Sequence, residues 1–150
     1  MKIYRDNIEM YETRLLKLSK MLKIISFLRL FIFVISSIIL IYLFSSNLLT
    51  PVLIVFPLSV LGFGVAISYY NKTAFLKKHT AFLKGINESE ISRGNCNLEG
   101  FDTGQNFMNQ NHPYSSDLDI FGQHSIFQLV NRATTESGTI LLSEWLSKPA

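Results

Sequence analysis

The sequence predicts a mainly α protein, a two-helix transmembrane hairpin with helical cytoplasmic arms, followed by a tail of short helices. Three observations predict it. The chain of 150 residues is 48% hydrophobic and only 17% charged. Its charges avoid one block: residues 1–29 hold seven Lys/Arg and three Asp/Glu, 30–70 none, 71–93 five and two, 94–150 two and six. Outside that block, apolar residues recur at helical spacing. Forty-one consecutive uncharged residues argue against a wholly soluble domain, whose surface needs charge to stay in water. The lone Cys96 excludes an internal disulfide framework and a cysteine-based zinc site built by this chain alone. The acidic balance after Gly94 makes a poor electrostatic footprint for nucleic acid.

Residues 1–29 read as a cytoplasmic amphipathic helix. Ile8, Tyr11, Leu15, Leu18, Leu22 and Ile25 fall at three- and four-residue steps, the signature of one apolar stripe. Asp6 or Asn7 is the expected cap, and the Lys/Arg opposite the stripe keep that face in water or near anionic headgroups.

Residues 30–70 read as the transmembrane hairpin, with spans at about 30–49 and 52–70 joined by a turn around Thr50 and Pro51. Each run has the roughly 20 residues needed to cross a hydrocarbon layer of about 30 Å. Backbone groups cannot be left unpaired in lipid, so each run has to be helical. Pro57, Gly62 and Gly64 are tolerated in such a setting, where small residues let backbones approach. Lys17, Lys20, Lys23 and Arg29 flank one side of the block and Lys72, Lys77, Lys78 and Lys84 the other, while the turn has no cation. By the positive-inside rule both termini are expected in the cytoplasm.

Residues 71–93 form the second cytoplasmic arm. Phe75, Leu76, His79, Phe82, Leu83 and Ile86 share a face, and the expectation is that this face meets the first arm as a short antiparallel coiled coil. Residues 94–111 are rich in Gly and Asn and read as a linker, with a short strand pair about Asp102 to Gly104 as one reading. In residues 112–150 the spacing gives an extended start at His112-Pro113 and a turn at Phe121-Gly122. A short helix from Ser125 to Arg132 then buries Ile126, Leu129 and Val130, and a second helix, capped by Thr134 or Thr135, runs through Ser147 to a stop at Pro149. Ile140, Leu141 and Trp145 opposite Leu142 and Leu146 make that last helix apolar over a wide face, more than 39 residues can cover. Arg132 is expected in an ion pair, with Glu136 or Glu144 as partner.

The tail carries one specific pattern. His112-Pro113-Tyr114 precedes Asp117-Leu-Asp119-Ile-Phe121-Gly122. Then come Ser125-Ile-Phe127, Asn131-Arg132, Thr135, Gly138, Trp145 and Pro149. These residues resemble the opening of the core (lever) domain of MutS-type DNA mismatch repair proteins. The likeness is greatest to a bacterial branch that carries membrane helices near its N terminus. The resemblance implies that residues 112–150 begin a MutS-like lever, that these motif residues are structural, and that the full-length protein is an ATP-dependent DNA-binding protein. It implies ATP and Mg for the full-length protein, DNA contacted only through other regions, a homodimer, and a bacterial inner membrane as the one the hairpin crosses.

The chain departs from that pattern. It has no Gly-Lys dipeptide and hence no GxxxxGK[ST] phosphate loop, and no Phe-x-Glu element for reading mismatches. No catalytic, cofactor-binding or metal-binding residue is therefore expected in this chain, which reads as an N-terminal fragment with the lipid bilayer as its direct partner. The alternative reading is a small self-sufficient membrane hairpin that scaffolds partners through its arms. Asp117 with Asp119 as a metal site, and His124 beside Ser125 as a nucleophile pair, are both disfavoured by spacing.

Overall fold

The computed structural model describes residues 1–46, 48–109 and 118–148. It is mainly helical: α1 (Lys2–Ser45), α2 (Leu49–Gly94), a 3-10 turn (Gln105–Phe107), α3 (Ile126–Val130) and α4 (Glu136–Ser147). No strand occurs among the described residues, so the strand pair about Asp102 to Gly104 does not form. Gly104 adopts a left-handed φ of 63° there and leads into the 3-10 turn instead. Two compact units result, Lys2–Asn87 and the remainder.

In the first unit α1 and α2 pack as an antiparallel hairpin. Both are long enough and apolar enough to cross a membrane. At 44 and 46 residues they extend about 66 and 69 Å, twice a hydrocarbon layer. Arm and span are thus one continuous helix on each side. Helix α1 starts at Lys2, ahead of the expected caps Asp6 and Asn7. It ends at Ser45 and α2 begins at Leu49, so the turn lies earlier than Thr50 and Pro51. Pro51 sits in the first turn of α2, where a missing N–H costs no helical hydrogen bond. Pro57 lies inside α2 without ending it.

The seam follows a seven-residue rhythm. On α1 the predicted stripe Ile8, Tyr11, Leu15, Leu18, Leu22 and Ile25 is the shielded face, with Leu18 the most buried of them. On α2 the most shielded positions are Ala66, Thr73, Thr80 and Asn87, spaced by sevens as a coiled coil requires. Large residues on one helix thus meet small ones on the other. The Thr73 and Thr80 hydroxyls donate to Tyr69 and Leu76 carbonyls of their own helix at 2.8 Å, so these buried polar groups are satisfied. Asn7 Nδ2 donates to Asn87 Oδ1 at 3.0 Å, and Lys84 Nζ meets Glu12 at 2.9 Å. Nearer the turn, the Arg29 guanidinium lies 5.8 Å from the Phe63 ring and 5.6 Å from that of Tyr70.

The face expected to form the second arm's contact is not the one used. Phe75, Phe82 and Ile86 are 69%, 60% and 44% exposed. His79 is exposed too, 6.4 Å from Phe75 ring to ring; Leu76 and Leu83 are half-buried. Close approach of two backbones needs small side chains at the seam. Thr73 and Thr80 supply them, and the phenylalanines turn outward.

Candidate functional site

The second unit is built on the Phe127 ring, which is completely buried. Ser125 caps α3, its hydroxyl accepting from the Gln128 N–H. That cap fixes the start of the five-residue helix and aims Phe127 inward. Ile120, Phe121, Phe107, Leu142 and Leu146 pack around it, with the Phe107 and Phe121 ring centroids 5.8 and 5.5 Å away. Gly104 closes the last side. A Cβ there would come within 2.6 Å of the Phe127 ring, so the ring lies directly on backbone.

Polar groups lock this small core. The Ile120 carbonyl accepts from the Phe127 N–H at 3.0 Å, and the Asp119 carbonyl from the Ile126 N–H at 3.0 Å. Asp119 holds a left-handed φ of 47°, a conformation in which Asp is better tolerated than most residues. The Gly122 N–H donates to the Thr103 carbonyl at 2.8 Å, tying the turn at Phe121-Gly122 to the linker. The buried Gln128 amide reaches three backbone groups: it donates to the Leu98 and Phe101 carbonyls at 3.3 and 2.9 Å and accepts from the His124 N–H at 2.7 Å.

An arginine-carboxylate cluster joins the tail to the final turns of α2. Arg132 forks onto Glu90, with Nε to Oε1 at 2.9 Å and Nη2 to Oε2 at 2.7 Å. Arg93 donates to Glu90 at 3.0 Å and to the Asn131 carbonyl at 2.9 Å. Its guanidinium carbon lies 4.2 Å from the Phe101 ring centroid, a cation–π distance. The hydrogen bond from Arg132 holds the Glu90 carboxyl below its ordinary value, and the charges of Arg132 and Arg93 add to this against an opposing effect of burial. Bidentate arginine pairs are the geometrically specific kind of ion pair.

Just beyond this cluster α2 ends in a Schellman motif. The Asn97 N–H returns to Ser92 O at 2.9 Å and the Cys96 N–H to Arg93 O at 3.0 Å. Cys96, at φ 56°, occupies the left-handed position usually given to glycine.

Of the residues singled out from sequence, Phe121 and Phe127 enter the core, and Asp119 and Gly122 shape the turn before it. Asn131 and Arg132 grip α2. Thr135 and Gly138 meet at the start of α4, where the Thr135 hydroxyl accepts from the Gly138 N–H at 3.2 Å. Trp145 is 69% exposed and joins none of these contacts. His112, Pro113, Tyr114, Asp117 and Pro149 lie outside the described residues. Two expectations change. Helix α3 is shorter than Ser125 to Arg132 and buries Phe127 and Gln128, while Ile126, Leu129 and Val130 are exposed. The Arg132 partner is Glu90, neither Glu136 nor Glu144, because α3 ends at Val130 and turns the guanidinium back toward α2. The Ser125 hydroxyl, for which spacing disfavours a pairing with His124, serves the helix cap.

Glu90, Arg93 and Gln128 were not singled out, and Gly104 entered only as part of the strand-pair reading. A glutamate and an arginine three apart on a helix look like a solvated pair, and nothing local indicates a partner 42 residues away. Among the described residues no three His, Cys, Asp or Glu side chains gather in a way that could hold a metal. The arrangement is a set of contacts between the last turns of α2 and the folded tail. Comparison with protein-family models, curated proteins and solved structures finds no match.

Proposed function

We propose that this chain is the membrane anchor and the opening of the lever domain of a MutS-related, ATP-dependent DNA-binding protein. The anchor would cross a bacterial inner membrane twice and leave both termini in the cytoplasm. One observation carries the reading: a helix long and apolar enough to span a bilayer runs without interruption to Glu90 and Arg93, where Asn131 and Arg132 of the MutS-like pattern bind it. The exposed Ile140, Leu141 and Trp145 face of α4 is what a lever helix awaiting its neighbours would present.

In this reading ATP and Mg are bound by a phosphate loop elsewhere in the polypeptide, DNA by other regions, and this segment performs no chemistry. The experiment is to follow the reading frame and assay its membrane-bound product. A frame continuing into a GxxxxGK[ST] loop, with ATP hydrolysis and DNA binding that weakens log-linearly with salt, is expected. A product confined to these residues overturns the proposal.

The second reading, a self-sufficient hairpin scaffold, is favoured by the outward Phe75, Phe82 and Ile86, which offer a partner helix an apolar stripe. Both readings share one topology. In intact cells an impermeant thiol reagent should miss Cys96 and label a cysteine introduced as Ser46→Cys.

A further inference from the structure

A shallow groove of about 570 Å³ runs between the hairpin helices, lined by Ser19, Leu22, Lys23, Ser26, Phe27 and Leu30 of α1 and Tyr70 and Lys77 of α2. Its two ends differ in chemistry. Leu30 and Tyr70 mark the edge of the uncharged block, and Lys23 and Lys77 lie seven residues outward on each helix. Seven residues correspond to about 10 Å of axial rise, comparable to the headgroup layer of a bilayer once long lysine stems reach back toward it. Along that length the lining changes from Leu30, Phe27 and the Tyr70 ring to two ammonium groups and two hydroxyls.

Among the described residues the polar end finds few partners. Lys84, one heptad outward from Lys77, has Glu12 as its counter-ion. Among the described residues Lys23 and Lys77 have no carboxylate partner. The hydroxyls of Ser36, Ser59, Ser68, Thr73 and Thr80 all return to carbonyls of their own helices, whereas those of Ser19 and Ser26 bond to no described residue. Arg29 adds a third cation beside the groove, 5.6 Å from the Tyr70 ring. The apolar end continues outward over Ile24, Phe27, Leu28 and Phe31, which share a second, almost wholly apolar depression with Lys23.

We propose that this groove binds an anionic phospholipid of the leaflet on the side of the termini. Lys23 and Lys77 neutralise its phosphate, Ser19 and Ser26 donate hydrogen bonds to it, and an acyl chain lies along Phe27 and Phe31. The apolar extension favours a lipid over a free phosphate, which would occupy only the cationic end. The inference rests on the hairpin spanning a bilayer.

The test uses the whole chain in nanodiscs of phosphatidylcholine containing about one-fifth phosphatidylglycerol, with retained lipid counted by native mass spectrometry after detergent release. Phosphatidylglycerol should be retained over phosphatidylcholine. The preference should fall about fivefold for each lysine removed in Lys23→Gln and Lys77→Gln. It should be unchanged in the charge-matched double variant Lys72→Gln with Lys78→Gln, and glycerol phosphate should not displace the lipid. Equal loss in both double variants would mean a diffuse basic collar and overturns the site, as does displacement by glycerol phosphate or absence of any preference. Carbonate extraction of the same protein from membranes separates the two levels. A resistant, lipid-indifferent chain refutes only the headgroup site, and an extractable one refutes the membrane reading and the site together.

Discussion

The hairpin Lys2–Asn87 and the tail unit after it reach stability by opposite routes. In the hairpin a single rhythm does almost everything. Leu15, Leu18 and Leu22 shield one side of the seam and Ala66, Thr73 and Thr80 the other, and each buried hydroxyl is satisfied within four residues of itself. The tail has no rhythm. Its core hangs on one buried ring, one amide that bonds residues 27 and 30 positions away, and one carboxylate gripped from 42 positions away. Damage to the hairpin should therefore be graded and local, whereas damage to the tail should be all-or-none.

The largest expected effect breaks the tail alone. Phe127→Ala removes a completely buried ring and should cost about 3–5 kcal/mol, more than so small a unit can lose. Hydrogen exchange on the chain in nanodiscs should show amides of 98–109 and 118–148 becoming unprotected while those of α1 stay slow. Simultaneous loss in α1 would mean the two regions fold as one.

Next comes the hairpin seam. Thr80→Leu forces a longer, γ-branched side chain with one more heavy atom into a site only 2% exposed and should cost about 1–3 kcal/mol by overpacking. Thr80→Ala should be much milder, since its hydroxyl satisfies only its own helix. Protection should fall in α1 and α2 around the seam, with the tail amides unchanged.

A third variant tests the contacts between α2 and the tail. Glu90→Gln leaves Arg93 and Arg132 with a neutral partner and should lower tail protection by about 1–2 kcal/mol. The pH dependence follows from the lowered Glu90 pKa. The folded state holds this carboxylate charged more firmly than the unfolded chain does, so its contribution is complete above the ordinary value of 4.5. It is lost as pH falls through the lower folded value. Tail protection should stay level from neutrality down to that ordinary value and decline below it, and Glu90→Gln should remove this step.

Two smaller effects sharpen the contrast. Cys96→Gly relieves a left-handed residue at the end of α2 and should stabilise the tail by about 0.5–1 kcal/mol. Glu12→Gln breaks an ion pair whose glutamate side chain is 55% exposed and should change hairpin stability by about 0.5 kcal/mol or less. A larger loss at Glu12 would show that Lys84 is less solvated than its 24% side-chain exposure suggests.

The two regions also differed in legibility. The apolar stripe from Ile8 to Ile25 was readable because a helix repeats its environment every three to four residues. On α2 the same logic failed: hydrophobicity pointed to Phe75 and Phe82, while the seam selected Thr73 and Thr80 for their size. In the tail, the Thr135 cap and the Phe121-Gly122 turn were visible as local signals. The partners of Gln128, Arg93 and Arg132 were not, because each bond is made by residues far apart in the chain.

The sequence by itself determined that two long helices would form and which block of them is free of charge, since length, charge and hydrophobic period are properties of neighbouring residues. Only the tertiary structure decided which face of α2 closes the hairpin, that Glu90 is the counter-ion of Arg132, and that Gly104 is the floor beneath Phe127. Those choices depend on how closely two backbones can approach and on which distant group fills the space left, and neither is written in any local stretch of the chain.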